Sequence, residues 1–157
     1  MRDIKIKLIT TIGLLIALSV VFSFIKMPSP AGTVAFDAIP GFFAAVYLIP
    51  VIGGVIGAIG HIATAATASF PFGLLSHLII ALTMFIACYM YGVLYKKNRY
   101  LAVTIGIAIN VFLAVFILGS VYKFSIFVPM IPFLLVGSTI NVILATIIHE
   151  SLKKVKW

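Results

Sequence analysis

The sequence predicts an all-α integral membrane protein: one compact bundle of six transmembrane helices, residues 1–157, with both termini in the cytoplasm. Three observations predict it. Hydrophobic residues make up 64% of the 157 positions and charged residues only 9%, with a mean hydropathy of +1.31. A water-soluble chain is usually ~45–50% apolar and ~25% charged, and a fold of this size has too little interior to hide the excess. The apolar residues fall into runs of bilayer-crossing length. Basic residues sit in short clusters between those runs and supply the formal charge of +8. They form no basic stripe and no groove-reading motif, so nucleic acid is not an expected partner.

The elements follow in order. Arg2, Lys5 and Lys7 precede the run Leu8–Ile25, which imitates a signal peptide but is long enough to span and is read as a retained first helix. Five further spans are expected at Asp37–Ile49, Val51–Ser69, Leu74–Tyr95, Tyr100–Tyr122 and Pro129–Leu152. The second is short against the ~20 residues a bilayer needs, so it is tilted, completed by ordered loop, or only partly spanning. With six spans and a cytoplasmic amino terminus, Arg2, Lys5, Lys7, Lys96, Lys97, Arg99, Lys153, Lys154 and Lys156 all fall inside. That is nine of the eleven basic residues, with only Lys26 and Lys123 outside. Four or five spans break this sorting.

Three loops then face outward: Lys26–Phe36, Phe70–Phe72 with its flanks, and Lys123–Val128. Polar residues gather near them. Asp37 opens the second span and His77 lies one turn into the fourth. Lys123 follows the fifth. His61, Asn110 and Asn141 sit deeper, in the third, fifth and sixth spans. Polar groups in lipid are costly unless paired, so they face the bundle interior or a cavity. Each has a plain structural alternative: Asp37 as a helix cap, the histidines and asparagines as interhelical hydrogen bonders, Lys123 as a solvated loop charge. His149 reads as an interfacial residue. The bias of Asp37, His77 and Lys123 toward one face carries more information than any one of them.

Gly53, Gly57 and Gly60 share a face of the third span, where small residues let backbones approach in lipid. A phosphate-binding glycine loop needs a preceding strand and a following Lys-Ser/Thr, which are missing here. Gly13 and Ala17 form a second small-xxx-small pair on the first span, either ordinary packing or a docking face for another membrane protein. Enzyme chemistry finds no support: His149-Glu150 lacks the second His of a zinc-protease helix, and no Gly-x-Ser-x-Gly elbow occurs. Cys88 is the sole cysteine, so no disulfide framework or metal spacing arises. No catalytic residue, cofactor or metal is expected.

Phe36-Asp37-Ala38-Ile39-Pro40, then Ile49-Pro50-Val51-Ile52-Gly53-Gly54-Val55-Ile56-Gly57-Ala58-Ile59-Gly60, resembles the substrate-binding S components of energy-coupling factor (ECF) vitamin transporters. Two departures stand out. Ile49 replaces the first glycine of the family's run, and His61 stands where many members carry an acid. Ser29–Asp37, Gly60–Ala68 and Phe70–Leu78 look like the S components assigned to salvage of α-ribazole, the nucleoside that forms the lower ligand of cobalamin. The resemblance implies a six-helix bundle in the bacterial cytoplasmic membrane with a vitamin pocket near the outer face. It implies partners: a membrane coupling protein, reached through Gly13 and Ala17, and two cytoplasmic ATPases. It also implies toppling in the bilayer to release the solute. For such a solute Asp37 would accept hydroxyl protons, Asn110 and Asn141 would donate and accept, and His77 would meet a ring nitrogen or pair with Asp37. His61 and Lys123 complete the polar set, and Phe36, Phe70, Phe72, Tyr122 and Phe124 are the candidate rings. An S component for another vitamin, a structural or channel-like protein without a pocket, and an intramembrane enzyme using His61 and His77 are the alternatives.

Overall fold

The computed structural model describes residues 2–30 and 32–153. The side chain of Arg2 and the residues Ala31, Lys154 and Lys156, used above, lie outside that description. The chain runs α1 (Arg2–Phe22), a hairpin of β1 (Lys26–Ser29) and β2 (Gly32–Ala35), α2 (Ile39–Tyr47), α3 (Pro50–Thr67) and α4 (Gly73–Tyr95). Then come α5 (Arg99–Ala108), a π-helical turn (Ile109–Leu113) and α6 (Ala114–Val121), in one apolar rod, Arg99–Val121. Last are α7 (Phe124–Phe127), a 3₁₀ turn (Val128–Met130) and α8 (Ile131–Leu152). Five of these stretches are long and apolar enough to cross a membrane.

The second expected span is the exception. α2 has nine residues, about 14 Å at 1.5 Å per residue, roughly half the hydrocarbon thickness. Pro50 ends it early: the residue before a proline is pushed out of helical geometry, and Ile49 is extended at φ −144°, ψ 152°. The other end of the deficit is filled by the hairpin, where the sequence predicts plain loop. β1 and β2 pair antiparallel from Lys26↔Ala35 to Ser29↔Gly32, and β2 dips into the bundle. Val34 lies against Gly137, and Asn141, near the middle of α8, donates from Nδ2 to the Ala35 carbonyl at 3.1 Å. Ser19 on α1 donates to the Asp37 carbonyl. Non-helical backbone survives at this depth only where its polar groups are satisfied within the protein. These two side chains do that.

α2 and α3 pack antiparallel on small residues. A Cβ on Gly41 would lie 2.7 Å from Gly57 Cα, and one on Gly53 would overlap Ala45. The adjoining face of α3, which shares Gly57, meets α4 in the same way: a Cβ on Gly57 would come within 2.7 Å of Cys88 Sγ, and one on Gly54 within 2.7 Å of Phe85. The expected glycine face of the third span is therefore two seams, one to each neighbour. Around them Phe42, Ile56, Tyr91, Val142 and Cys88 are fully buried, with Phe42 and Tyr91 edge to face at 5.3 Å.

Candidate functional site

The bundle has two unlike ends. At one, which we call the hairpin end, gather β1, β2, the carboxyl ends of α3 and α6, and the amino ends of α4 and α7. Lys26 reaches across from β1 to the end of α3, donating to Thr67 Oγ1 at 2.6 Å and to the Thr64 carbonyl at 3.4 Å. Tyr122, just past α6, shares a hydrogen bond with Ser76 Oγ at 2.6 Å and donates to the Phe72 carbonyl at 3.4 Å. Beneath these clasps lies a cavity of about 120 Å³. One water needs ~10–15 Å³ on this measure, so it holds roughly ten waters, or about 300 Å³ of liquid. That is the low end of small-molecule sites.

Six polar or aromatic residues singled out from sequence line it: Asp37, His61, Phe72, His77, Asn110 and Asn141. Each arrives by a different route. Asp37 sits where β2 turns into α2, and its Oδ2 accepts from Thr64 Oγ1 at 2.8 Å. It does not cap α2, whose N-cap is Ala38 with no side-chain cap bond. His61 and His77 face each other from antiparallel α3 and α4, Nε2 to Nδ1 at 3.2 Å. Asn110 stands in the π turn and donates from Nδ2 to Ser138 Oγ at 3.0 Å.

Asn141 is the most constrained. Both hydrogens of its amide are used, on Ala35 O and on Gly137 O at 2.9 Å. Rotating the amide would set its oxygen against two carbonyl oxygens, so the assignment is unambiguous. Its Oδ1 is left buried without a protein partner, as is His77 Nε2. Buried polar atoms are nearly always hydrogen-bonded, and leaving one unmade costs ~1–3 kcal/mol. Here two such atoms belong to one cavity wall.

Three predicted site residues lie off that wall. Phe36 turns away to pack against the central core. Tyr122 spends its hydroxyl on the Ser76 clasp while its ring is largely exposed. Lys123 is exposed at the N-cap of α7. Of the other rings, Phe70 flanks His77 edge to face at 5.7 Å, and Phe124 covers Phe116 and Gly119. The wall also includes residues the sequence reading passed over: Thr64, Ser138, Met84 and Phe127. Thr64 had a signal, since it follows His61 by three on one helix face. Gly13 and Ala17 are exposed on α1, and a Cβ on Gly13 would meet nothing within 4 Å.

Comparison with known proteins decides the family. The family model for ECF transporter substrate-specific components matches residues 7–152. The chain belongs to that family. One solved structure of similar fold is described as the S component of a bacterial ECF transporter. It has a TM-score of 0.69 and 20% sequence identity, over 95% of this chain and 96% of that one. No curated protein matches in sequence. The protein is thus the substrate-specific component of a transporter and a multi-pass membrane protein. In this S component the described residues include no cluster of three metal-ligating side chains.

The opposite end of the S component carries different chemistry. Tyr95 donates to Glu150 Oε1 at 2.6 Å, and Lys153 pairs with the same oxygen at 2.9 Å. His149, expected at an interface, is buried between Phe43 and Tyr95.

Proposed function

We propose that this S component captures an uncharged polar solute with a flat ring, α-ribazole, in the hairpin-end cavity. The observation that carries the reading is the pair of orphaned atoms, Asn141 Oδ1 and His77 Nε2, set in an otherwise largely apolar wall. Asn141 Oδ1 asks for a donor such as a ribose hydroxyl, and His77 Nε2 asks for a partner on the ring edge. Phe72 and Phe127, 5.2 Å apart, flank the space with aromatic surface. No Lys or Arg is among the described lining residues, and Lys26 is held by Thr67, which disfavours a strongly anionic solute. Asp37 acts as a further acceptor, and Asn110 as donor and acceptor.

In this reading the cavity opens outward, both termini are cytoplasmic, and the protein resides in the bacterial cytoplasmic membrane. The exposed Gly13–Ala17 strip docks on a membrane coupling protein that works with two cytoplasmic ATPases. The energy of uptake comes from those partners. Native mass spectrometry of gently purified protein, followed by thermal-shift titration with α-ribazole and other vitamins, tests it. A retained α-ribazole and a saturable rise in Tm are expected. A rise with a different vitamin alone would remove α-ribazole and keep the S-component role.

A further inference from the structure

The two histidines of the cavity wall form a unit whose chemistry goes beyond holding one ligand. His61 Nε2 and His77 Nδ1 are 3.2 Å apart, with ring centroids at 5.4 Å and planes 29° apart. Neutral imidazole carries one N–H and one bare nitrogen. The contact therefore holds one proton, and where that proton sits dictates the state of the remaining nitrogens. If His61 donates, His77 Nδ1 is the acceptor and His77 Nε2 carries hydrogen. If His77 donates, its Nε2 is bare. His77 lines the cavity, and its free Nε2 is buried without a protein partner. Phe70 and Phe72 flank the His77 ring at 5.7 and 6.5 Å, closing it off from neighbours that would fix one form.

We propose that the His61–His77 pair is a convertible recognition element that presents His77 Nε2 to the solute as donor or acceptor. Its ligand class is a neutral heteroaromatic ring whose edge offers either a bare nitrogen or an N–H. Conversion balances without net charge. One proton enters at His77 Nε2 from water, the shared proton passes from His77 Nδ1 to His61 Nε2, and one leaves to water from Nδ1 of the partly exposed His61. A fixed acceptor at Asn141 Oδ1 sets the solute's orientation, and the pair adapts to its ring edge. The ligand class rests on the cavity being the binding site; the shared proton does not.

Two measurements test this. In 15N-histidine-labelled protein in nanodiscs, a nitrogen–nitrogen coupling across the hydrogen bond is expected between His61 Nε2 and His77 Nδ1. Its absence overturns the proposal. The second compares two probes by calorimetry: α-ribazole, whose ring nitrogen is bare, and the matching benzimidazolone nucleoside, which has N–H there. The native protein is expected to bind both within about tenfold. H61E supplies only acceptor oxygens, fixes the proton on His77 Nδ1 and leaves Nε2 bare. The affinity ratio should then move about tenfold or more toward the benzimidazolone. H61Q, whose amide offers both functions, should move it less. An unchanged ratio in H61E overturns the proposal. If the glutamate variant fails to fold, the coupling alone decides. If neither nucleoside binds the native protein, the α-ribazole reading falls, while the coupling still decides the pair.

Discussion

The two ends of the α2–α3–α4 layer are made from different materials. Toward the termini the helices meet on Gly41, Ala45, Gly53, Gly57 and Gly92, with backbones so close that a single methyl group does not fit. Toward the hairpin Asp37 precedes α2, α3 carries His61 and Thr64 and α4 carries His77, and the layer parts around a cavity. In lipid no hydrophobic force drives helices together, so close van der Waals packing must do it. The difference teaches that the rigid seam is what allows the opposite end to stay open. A polar cavity costs stability, and the seam offsets it.

The sharpest way to break this contrast is to fill the seam. Gly57→Leu, facing Gly41 and Cys88, should cost about 3 kcal/mol or more and abolish recovery of folded protein by size-exclusion chromatography. A monodisperse variant of native Tm would contradict the packing account. Next in size is Asn141→Leu, which strips the Ala35 carbonyl of its donor. A loss of ~1–3 kcal/mol and a hairpin newly open to protease are expected, with solute binding gone. Thr64→Val sharpens the comparison from the open end. It removes the bond to Asp37 Oδ2 and should lower Tm modestly, by about 1 kcal/mol of stability, while changing solute affinity more than the seam variants that still fold. Equal effects on both would put Thr64 in the scaffold. The smallest effect on the isolated protein belongs to Gly13→Leu. With nothing within 4 Å, it should shift stability by less than about 0.5 kcal/mol and leave solute binding intact. Uptake in cells carrying the energising module should be lost, and normal transport would remove the α1 strip from the docking surface.

Much of this was legible in the sequence, for reasons that differ between the two ends. Long apolar runs marked five of the six expected spans as stretches long and apolar enough to cross a membrane, because hydrocarbon thickness admits few other lengths. Glycine spacing on α3 located the seam, since small residues in lipid have little other use. Asp37, His61, His77, Asn110 and Asn141 were conspicuous because polar groups at membrane depth need partners. What stayed hidden depended on direction. Phe36, Tyr122 and Lys123 lie at the right end of the bundle, yet core packing, a hydroxyl bond to Ser76 and an exposed turn position respectively keep them off the cavity wall. The hairpin was hidden because Pro28, Ser29 and Pro30 read as loop, and its depth is set by a contact 106 residues away in sequence, Asn141 to Ala35. Thr64 and Ser138 escaped because hydroxyls are common in apolar helices, where they usually bond their own backbone.

The wide turn at Ile109–Leu113 has a last consequence. Asn110 and Leu118 both line the cavity, although eight steps of a regular α-helix would swing the second about 80° from the first. The loosened turn takes up that drift. Removing any one residue of the five would yield a straighter, better-bonded rod whose upper half points elsewhere. Here regular geometry and function pull in opposite directions, and a shortened chain could gain firmness while going blind to its cargo.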